Sequence, residues 1–279
     1  MIFRKSCLGI MQGRLSTQVK NIIQIFPKKN WKLEFKKMQS LKLKNLEWTI
    51  EFPFFYENPL MDKNKHKQII NLKKKYKINI YSVTCDCFMQ KPFWKIQQKV
   101  NQKKIIRQFV ELIDNASNLK IKYVVIPLVD NGSIKNTYQK NELIMILKNL
   151  TNYIKSKKIM ILFEFDNSPK FIKNFLKNLE SKVFGINYDT GNSASYGYNV
   201  DIEFRAYSKL IKNIHLKDKN IDGQSVALGE GIVNFDKFFK NLIKYKFDGN
   251  LILQTARSKN RMHVQEIKKN IKFISQYLK

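Results

Sequence analysis

The chain has 279 residues, of which 43% are hydrophobic, so it has enough apolar side chains to build a substantial core. Twenty phenylalanines and twelve tyrosines exclude a disordered chain, and no run of about 18 apolar residues is present to span a bilayer. The formal net charge of +30 raises the question of an anionic partner such as nucleic acid.

The positive charge comes almost entirely from lysine, which supplies 46 of the 52 basic residues. These lysines are spread over every amphipathic segment instead of forming one stripe, which indicates a solvated surface and argues against a nucleic-acid partner. Attraction of anionic metabolites is the alternative use of this charge. Three cysteines, Cys7, Cys85 and Cys87, suit neither a disulfide framework nor a four-ligand zinc site, so we expect reduced thiols and a cytoplasmic protein without a membrane segment.

Short apolar runs alternate with longer amphipathic segments along the whole chain, beginning with "CLGIM" near the N-terminus. The predicted strands are 7–11, 45–50, 78–84, 123–128, 159–165, 184–189, 213–216 and 251–254. The predicted helices are 30–43, 62–76, 98–118, 139–157, 168–179, 201–210, 235–245 and 263–278.

Eight strands alternating with eight helices predict an α/β fold, a (β/α)8 TIM barrel, as a single domain over residues 1–279. We expect the strands to be apolar on both faces, as in parallel strands that helices cover. A doubly wound open sheet is the alternative. It would carry a glycine-rich GxGxxG turn after the first strand, where this chain has "MQGRLS".

Polar residues follow nearly every predicted strand, at the end of the barrel where (β/α)8 proteins place their chemistry. The candidate site residues at these positions are Gln12, Arg14, Glu51, Asp86, Asp130, Glu164, Asp189, Asn192, His215, Lys217, Gln254 and Arg257. Glu164, Asp189 and His215 come from three consecutive strands, so two carboxylates and an imidazole converge on one point. These residue types suit a divalent ion with positions left open for a substrate.

The segment "ALGEGIVNF" (227–235) has two interpretations. It is either a tight turn that leads into a helix, or a loop whose backbone amides and Glu230 contact the hydroxyls or phosphate of a substrate. Lys217 and Arg257, with Arg14 as a third, are the expected contacts for an anionic group. They follow strands, whereas most basic residues lie in the predicted helices.

Six motifs in this order and spacing resemble the xylose-isomerase-like TIM-barrel superfamily, specifically its sugar phosphate isomerase/epimerase branch. They are "LGIMQGRLS", "FEFD", "NYDTGNS", "IHLKDK", "LGEGIVNF" and "LILQTAR". The resemblance covers essentially the whole chain. It implies a divalent metal ion (Mn, Zn, Co or Mg) held by Glu164, Asp189, His215 and Gln254.

The resemblance also implies an intramolecular isomerase that moves a proton next to a sugar carbonyl through an enediolate, with Glu164 and residue 254 as the catalytic pair. The family has a glutamate where this chain has Gln254, and an amide cannot accept and return a proton at neutral pH. Three outcomes stay open: one-base isomerisation by Glu164, a second base from Glu51, Asp86, Asp130 or Glu230, or loss of catalysis.

The partner implied for this barrel is a small carbohydrate, phosphorylated or not, and a homodimer is a reasonable expectation. A catalytically altered barrel that binds a sugar or a protein is the first alternative. An enzyme like endonuclease IV, which shares the fold and cuts DNA, is the second. Its trinuclear zinc cluster needs several histidines, and this sequence has three in all, of which His215 alone lies at the end of a predicted strand.

Overall fold

The computed structural model describes residues 7–17, 24–258 and 261–278. Eight parallel strands close into a barrel in the order β1-β10-β7-β6-β5-β4-β3-β2. The barrel strands are β1 (Leu8–Met11), β2 (Asn45–Ile50), β3 (Asn79–Cys85), β4 (Tyr123–Leu128), β5 (Met160–Phe165), β6 (Phe184–Asp189), β7 (Ile211–Leu216) and β10 (Asn250–Leu253). The predicted (β/α)8 barrel is therefore confirmed.

Helices surround the barrel and connect its strands. They are α1 (Trp31–Ser40), α2 (Lys63–Tyr76), α3 (Asp86–Gln90), α4 (Lys99–Asn118), α5 (Thr137–Ser156), α6 (Pro169–Leu176), α7 (Thr190–Ser195), α8 (Val200–Tyr207), α9 (Phe235–Lys244) and α10 (His263–Ser275). Eight of these match the predicted helices, with ends that differ by a few residues.

Two short α-helices and a two-stranded hairpin were not predicted, and they lie in loops that follow barrel strands. Helices α3 and α7 begin directly after β3 and β6, and a small hairpin of β8 (Asp218–Lys219) and β9 (Ser225–Val226) follows β7. Their sequences are too short to show a hydrophobic period, so the pattern that reveals the long helices cannot reveal them.

Helix starts follow from capping residues in the sequence. Helices α2, α5, α6, α8 and α9 are each preceded by a side chain that accepts a hydrogen bond from a backbone N–H in the first turn. These capping residues are Asp62, Asn136, Ser168, Asn199 and Asn234. Such caps satisfy N–H groups that have no partner inside the helix and are worth about 1 kcal/mol each. They fix where these five helices begin against the barrel.

The hydrophobic core lies mainly between the barrel and its helices. Trp48 of β2 packs edge to face on Trp31 of α1, with ring centroids 5.5 Å apart, and Phe26 packs on both rings. On the opposite side, Phe238 of α9 stacks on Tyr188 of β6. Burial of these large rings stabilises the packing of the helices on the strands.

Candidate active site

The inner face of the barrel is polar in β2, β3, β6 and β7, so the prediction that the strands are apolar on both faces is wrong for this face. In β2, Glu47 alternates with the apolar residues Leu46 and Trp48. The amide of Asn213 in β7 donates to Glu47 Oε2 at 2.8 Å, although β2 and β7 are not neighbours. Such a bond is only made across the barrel interior.

Glu164, Asp189 and His215 converge at the C-terminal ends of β5, β6 and β7. The register of β6 and β7 pairs Asp189 with His215, and His215 Nδ1 lies 3.0 Å from Glu164 Oε2. One ligand atom from each residue lies within 4.8 Å of the other two, and all three residues are buried. Two oxygens and one nitrogen so arranged suit a divalent ion in both residue type and spacing.

His215 is held between two carboxylates. Its Nε2 atom lies 2.6 Å from Glu47 Oε1, and its Nδ1 atom faces Glu164. Burial alone lowers the pKa of His215, but the negative charges of Glu47 and Glu164 outweigh burial and raise the pKa to about 10. The two carboxylates therefore favour the protonated form of His215, and a metal ion bound at Nδ1 would have to displace a proton.

Glu47 is a site residue that the sequence analysis did not identify. It lies inside β2, four residues before Glu51, which directly follows the strand. Because the predicted site residues were taken from strand ends, Glu47 was not among them. The available signal was the alternation in "NLEWTI", which places Asn45, Glu47 and Thr49 on one face of a strand.

Asparagine side chains orient Glu164, and a backbone N–H group and a lysine orient Asp189. Asn192 Nδ2 donates to Glu164 Oε1 at 2.7 Å, and Asn187 Nδ2 donates to Glu164 Oε2 at 3.0 Å. Asp189 accepts from the backbone N–H of Asn192 at the start of α7, and Lys217 Nζ lies 3.4 Å from Asp189 Oδ2. The unpredicted helix α7 therefore fixes two of the three ligand positions.

Gln254 lies directly after β10, where its backbone N–H donates to Leu216 O and extends the barrel ladder by one residue. Its side-chain oxygen Oε1 is buried and has no hydrogen-bond partner in the described part of the chain. A buried amide oxygen without a partner is costly, unless an ion or ligand occupies the position it faces. The residue is therefore compatible with a fourth ligand position for a hard cation.

A cavity of about 650 Å³ opens at the C-terminal end of the barrel. Its walls include Arg14, Asp86, Asp130, Glu164, Asn192, Lys217, Lys219, Gln254 and Arg257. Most of the candidate site residues are thus brought together around one space that is large enough for a small carbohydrate.

Asp86 is the most perturbed carboxylate on the cavity wall outside the ligand cluster. It begins α3 and is buried, with 8% of its surface exposed. Burial, and then the negative charge of Glu164, raise the pKa of Asp86 to about 7. A carboxyl group with a pKa near 7 can both donate and accept a proton at neutral pH.

Three predicted substrate contacts lie outside the cavity wall. Gln12 is fully buried, where its Oε1 accepts a weak 3.4 Å bond from the backbone of Thr49, and Glu51 accepts from Phe26 N at 2.8 Å. Glu230 is exposed. The structure therefore brings none of the three to the cavity that contains Glu164.

The carboxylate of Asp218 holds the loop that carries Glu230. Asp218 accepts hydrogen bonds from the backbone N–H groups of Gly229, Gly231 and Val233 at 2.9 to 3.1 Å. A Cβ atom on Gly231 would lie 2.3 Å from Asp218 Oδ1, so this position needs glycine. These amides are already used within the protein, which favours the tight-turn interpretation of "ALGEGIVNF" over direct substrate contact.

The loop after β1 is clamped from both sides and carries Arg14. Glu34 accepts bonds from the backbone N–H groups of Gly13 and Leu15, and Arg257 donates to the carbonyls of Gly13 and Ser16 at 2.6 and 2.9 Å. Two of the nitrogens of Arg257 are thus used in hydrogen bonds to this loop. Burial, and then the nearby charge of Arg257, lower the pKa of Arg14 to about 9, as expected for two guanidinium groups held close together.

Comparisons with known proteins agree with this geometry. A family model described as "Xylose isomerase-like TIM barrel" matches residues 46–277, which is more than half of the chain. This chain belongs to that family. The xylose isomerase-like barrel begins before the match, since β1 pairs with β2 and β10 to close the sheet.

One curated relative is the putative L-ribulose-5-phosphate 3-epimerase SgbU of Escherichia coli strain K12. It is 34% identical over 110 residues, which is 37% of this chain and 38% of that protein. The matched region thus spans well under half of the relative's length.

Two solved structures have the same fold over nearly their full length. D-allulose 3-epimerase of a Methylomonas species, in complex with D-allulose, has a TM-score of 0.76 at 12% identity and covers 99% of this chain and 98% of that one. The IolI protein with a bound zinc atom has a TM-score of 0.75 at 16% identity and covers 97% and 99%. At these identities the likeness establishes the fold.

The helices of the xylose isomerase-like barrel all pack around the strands. In the described part of the chain, no helix combines the length and the apolar character needed to cross a bilayer.

Proposed function

We propose that this barrel is a divalent-metal-dependent isomerase or epimerase that moves a proton next to the carbonyl of a sugar or sugar phosphate. One observation carries the proposal. The ligand atoms of Glu164, Asp189 and His215 cluster at a cavity whose wall also holds the unpartnered amide oxygen of Gln254.

Glu164, Asp189, His215 and Gln254 would hold the ion, with Mn, Zn, Co and Mg all compatible with this donor set. When bound, a divalent ion polarises a carbonyl and makes the neighbouring C–H group more acidic. Two ligands are anionic and two are neutral, so the protein ligands balance the charge of the ion. His215 Nδ1 and Glu164 Oε2, which are 3.0 Å apart, would both be ligands of the same ion.

Proton transfer by Glu164 and Asp86 fits the cavity better than transfer by Glu164 and Gln254. Glu164 takes the proton from the carbon next to the carbonyl, and the C–H electron pair forms the enediolate. Asp86 lines the same cavity, and its raised pKa keeps part of it protonated at neutral pH, so it can return a proton to the opposite face. If Glu164 returns the proton itself, the result is one-base isomerisation.

Cationic side chains on the wall would hold the charge that develops on the enediolate. Lys217 lies beside Asp189, and Lys219 and Arg14 line the same cavity. Their positive charges also suit a phosphate group on the substrate. Arg257 would act mainly through the loop it holds, since its two terminal nitrogens bind the carbonyls of Gly13 and Ser16.

The test begins with the metal. After dialysis against a chelator and reloading with Mn²⁺ or Zn²⁺, elemental analysis should find about one ion per chain in the wild type, and Glu164→Gln should lose most of it. Glu142→Gln is the control, because Glu142 pairs with Lys99 and Gln102 on the outer helices. Absence of bound metal in the wild type would contradict the proposal.

Chemistry is tested by exchange of solvent deuterium into a panel of ketoses and ketose phosphates. The wild type should exchange the proton next to the carbonyl, and Glu164→Gln should lower the rate roughly 10²- to 10⁴-fold. Asp86→Asn should suppress epimer formation by a similar factor while exchange by Glu164 continues. A metal-loaded protein that binds a sugar without exchange would instead support a binding barrel.

A further inference from the structure

Glu47 is a carboxylate buried at the centre of the barrel, and the proposed proton-transfer chemistry does not use it. None of its surface is exposed. Ser82 donates to its Oε2 at 2.6 Å and Thr84 to its Oε1 at 2.8 Å, while Asn213 donates to Oε2 and His215 Nε2 lies 2.6 Å from Oε1. Four donors from β3 and β7 thus converge on one carboxylate.

This arrangement fixes which atom of His215 carries a proton. A carboxylate accepts hydrogen bonds, so His215 Nε2 must be protonated to donate to Glu47. The three other donors leave Glu47 no freedom to turn away. In a neutral imidazole only one nitrogen is protonated, so a proton fixed on Nε2 leaves the lone pair on Nδ1.

The direction of Nδ1 completes the geometry. Nδ1 faces Glu164, which forms the cluster with Asp189 and His215, at 3.0 Å, whereas Nε2 faces Glu47 at 2.6 Å. The register of β2 places Glu47 opposite Ser82 of β3, so the backbone of the barrel sets the position of this carboxylate. Rigid strands on both sides hold the contact between Glu47 and His215.

We infer that Glu47 is the positioning residue of the metal site: it binds the Nε2 proton of His215 and thereby presents Nδ1 to the ion. The inference rests on the proposed function only for the presence of a metal. It adds that the site depends on a second carboxylate behind the histidine. Such outer partners make an imidazole more basic and orient its ring.

The inference has a second consequence, for the charge of the site. Gln254 is neutral where the resemblance implies a glutamate, so the direct ligands carry one negative charge fewer. Glu47 lies one hydrogen bond behind His215 and supplies a negative charge there. In this chain, electron donation from Glu47 through His215 offsets part of the negative charge that the amide of Gln254 does not supply to the ion.

The main test is Glu47→Gln, followed by titration of Zn²⁺ into the metal-free protein by calorimetry. Affinity for Zn²⁺ should fall about 10- to 100-fold, because a glutamine can offer His215 either its oxygen or its amide group and no longer imposes one tautomer. The matched control is Glu203→Gln. Glu203 is also buried and accepts three hydroxyl groups, from Tyr188, Ser193 and Tyr207, but it contacts no ligand of the cluster.

A spectroscopic readout separates positioning from a structural role. With three histidines in the chain, ¹⁵N-histidine NMR of the Zn²⁺ form can identify His215. The wild type should show Nδ1 bound to the metal and a protonated Nε2 with a downfield, slowly exchanging proton. In Glu47→Gln this proton should move upfield and exchange faster, while Glu203→Gln leaves it unchanged.

Two results would overturn the inference. One is a Zn²⁺ affinity of Glu47→Gln within about threefold of both the wild type and Glu203→Gln. The other is a wild-type spectrum in which Nε2 is the metal-bound nitrogen, a result that needs no variant and so stands even if Glu47→Gln fails to fold. If the wild type binds no Zn²⁺, the proposed function fails together with the inference. If the wild type binds Zn²⁺ and one of these two results is found, the inference alone fails.

Discussion

Gln254 is the residue at which this chain departs from the family pattern that its motifs resemble. Its amide oxygen is buried without a partner at the wall of the cavity, and its backbone continues the barrel ladder. An amide can bind a hard cation but contributes no charge and no proton transfer. The residue is therefore compatible with the proposed metal site, and the proposed proton transfer is assigned to other carboxyl groups.

Gln254→Glu should bind Mn²⁺ more tightly than the wild type, because a third carboxylate adds negative charge around the ion. It should also raise the rate of epimer formation, since a glutamate at this position can transfer a proton. Calorimetry with Mn²⁺ and deuterium exchange measure the two effects, and Gln254→Leu is the control that removes the ligand atom. Weaker Mn²⁺ binding by Gln254→Glu would show that the site requires a neutral ligand.

We expect Asp86 to make the metal-free protein less stable as the pH rises. Its pKa is raised from 3.8 to about 7 on folding, so the folded state binds a proton that the unfolded state has released between these values. The stability contributed by the protonated form is complete below about pH 4 and is lost as the pH rises through about 7.

Asp86→Asn should remove this pH dependence. The variant should gain roughly 1 to 4 kcal/mol over the wild type at pH 8 and nothing at pH 4. Urea denaturation of chelator-treated protein at pH 4, 6 and 8 measures the difference. Asp130→Asn, at an exposed position of the same cavity wall, is the control, and its free energy of unfolding should change with pH as that of the wild type does. Equal gains at pH 4 and pH 8 would contradict the argument.

Charged residues that are buried or half-buried set the shape of two of the loops at this end of the barrel. Glu34 on α1 and Arg257 after β10 hold the loop after β1, and Asp218 holds the loop that leads to α9. Each of these residues binds backbone groups that would otherwise be unsatisfied in a buried position. Arg257, predicted from the sequence as an anion contact, has this second use.

Glu34→Ala should destabilise the protein by about 2 to 4 kcal/mol, because the N–H groups of Gly13 and Leu15 and the hydroxyl of Ser16 lose their acceptor. Hydrogen exchange should accelerate in the loop around Arg14 more than in α5. Glu142→Ala, on α5, serves as the control with smaller effects. Unchanged exchange at Gly13 and Leu15 would mean that Glu34 does not organise the loop.

The whole molecule carries a charge of +30 that its fold distributes over the helices. Burial, and then the neighbouring Lys120, lower the pKa of Lys73, and burial, followed by Lys217, lowers that of Lys219. Like charges therefore repel one another both on the outer surface and at the cavity. Repulsion of this kind weakens a compact state and is screened by salt.

Raising NaCl from 0.05 to 0.5 M should therefore stabilise the protein, on the order of 1 kcal/mol in the free energy of unfolding. Urea denaturation at both salt concentrations measures the change, and a parallel series in KCl separates ionic strength from effects of sodium. A loss of stability with salt would show that ion pairs outweigh repulsion.

A homodimer stays a prediction, for which light scattering under the same conditions is the test.

The sequence by itself determined the order of the eight barrel strands and of the eight helices that alternate with them, because hydrophobic period and capping residues are local properties of the chain. It also identified Glu164, Asp189 and His215 as a cluster, since parallel strands bring their C-terminal ends to one edge. Only the tertiary structure decided the partners of these residues. Glu47 meets His215 across 168 positions of chain, and Glu34, Arg257 and Asp218 bind distant backbone groups. Such contacts depend on closure of the barrel, which no local pattern encodes.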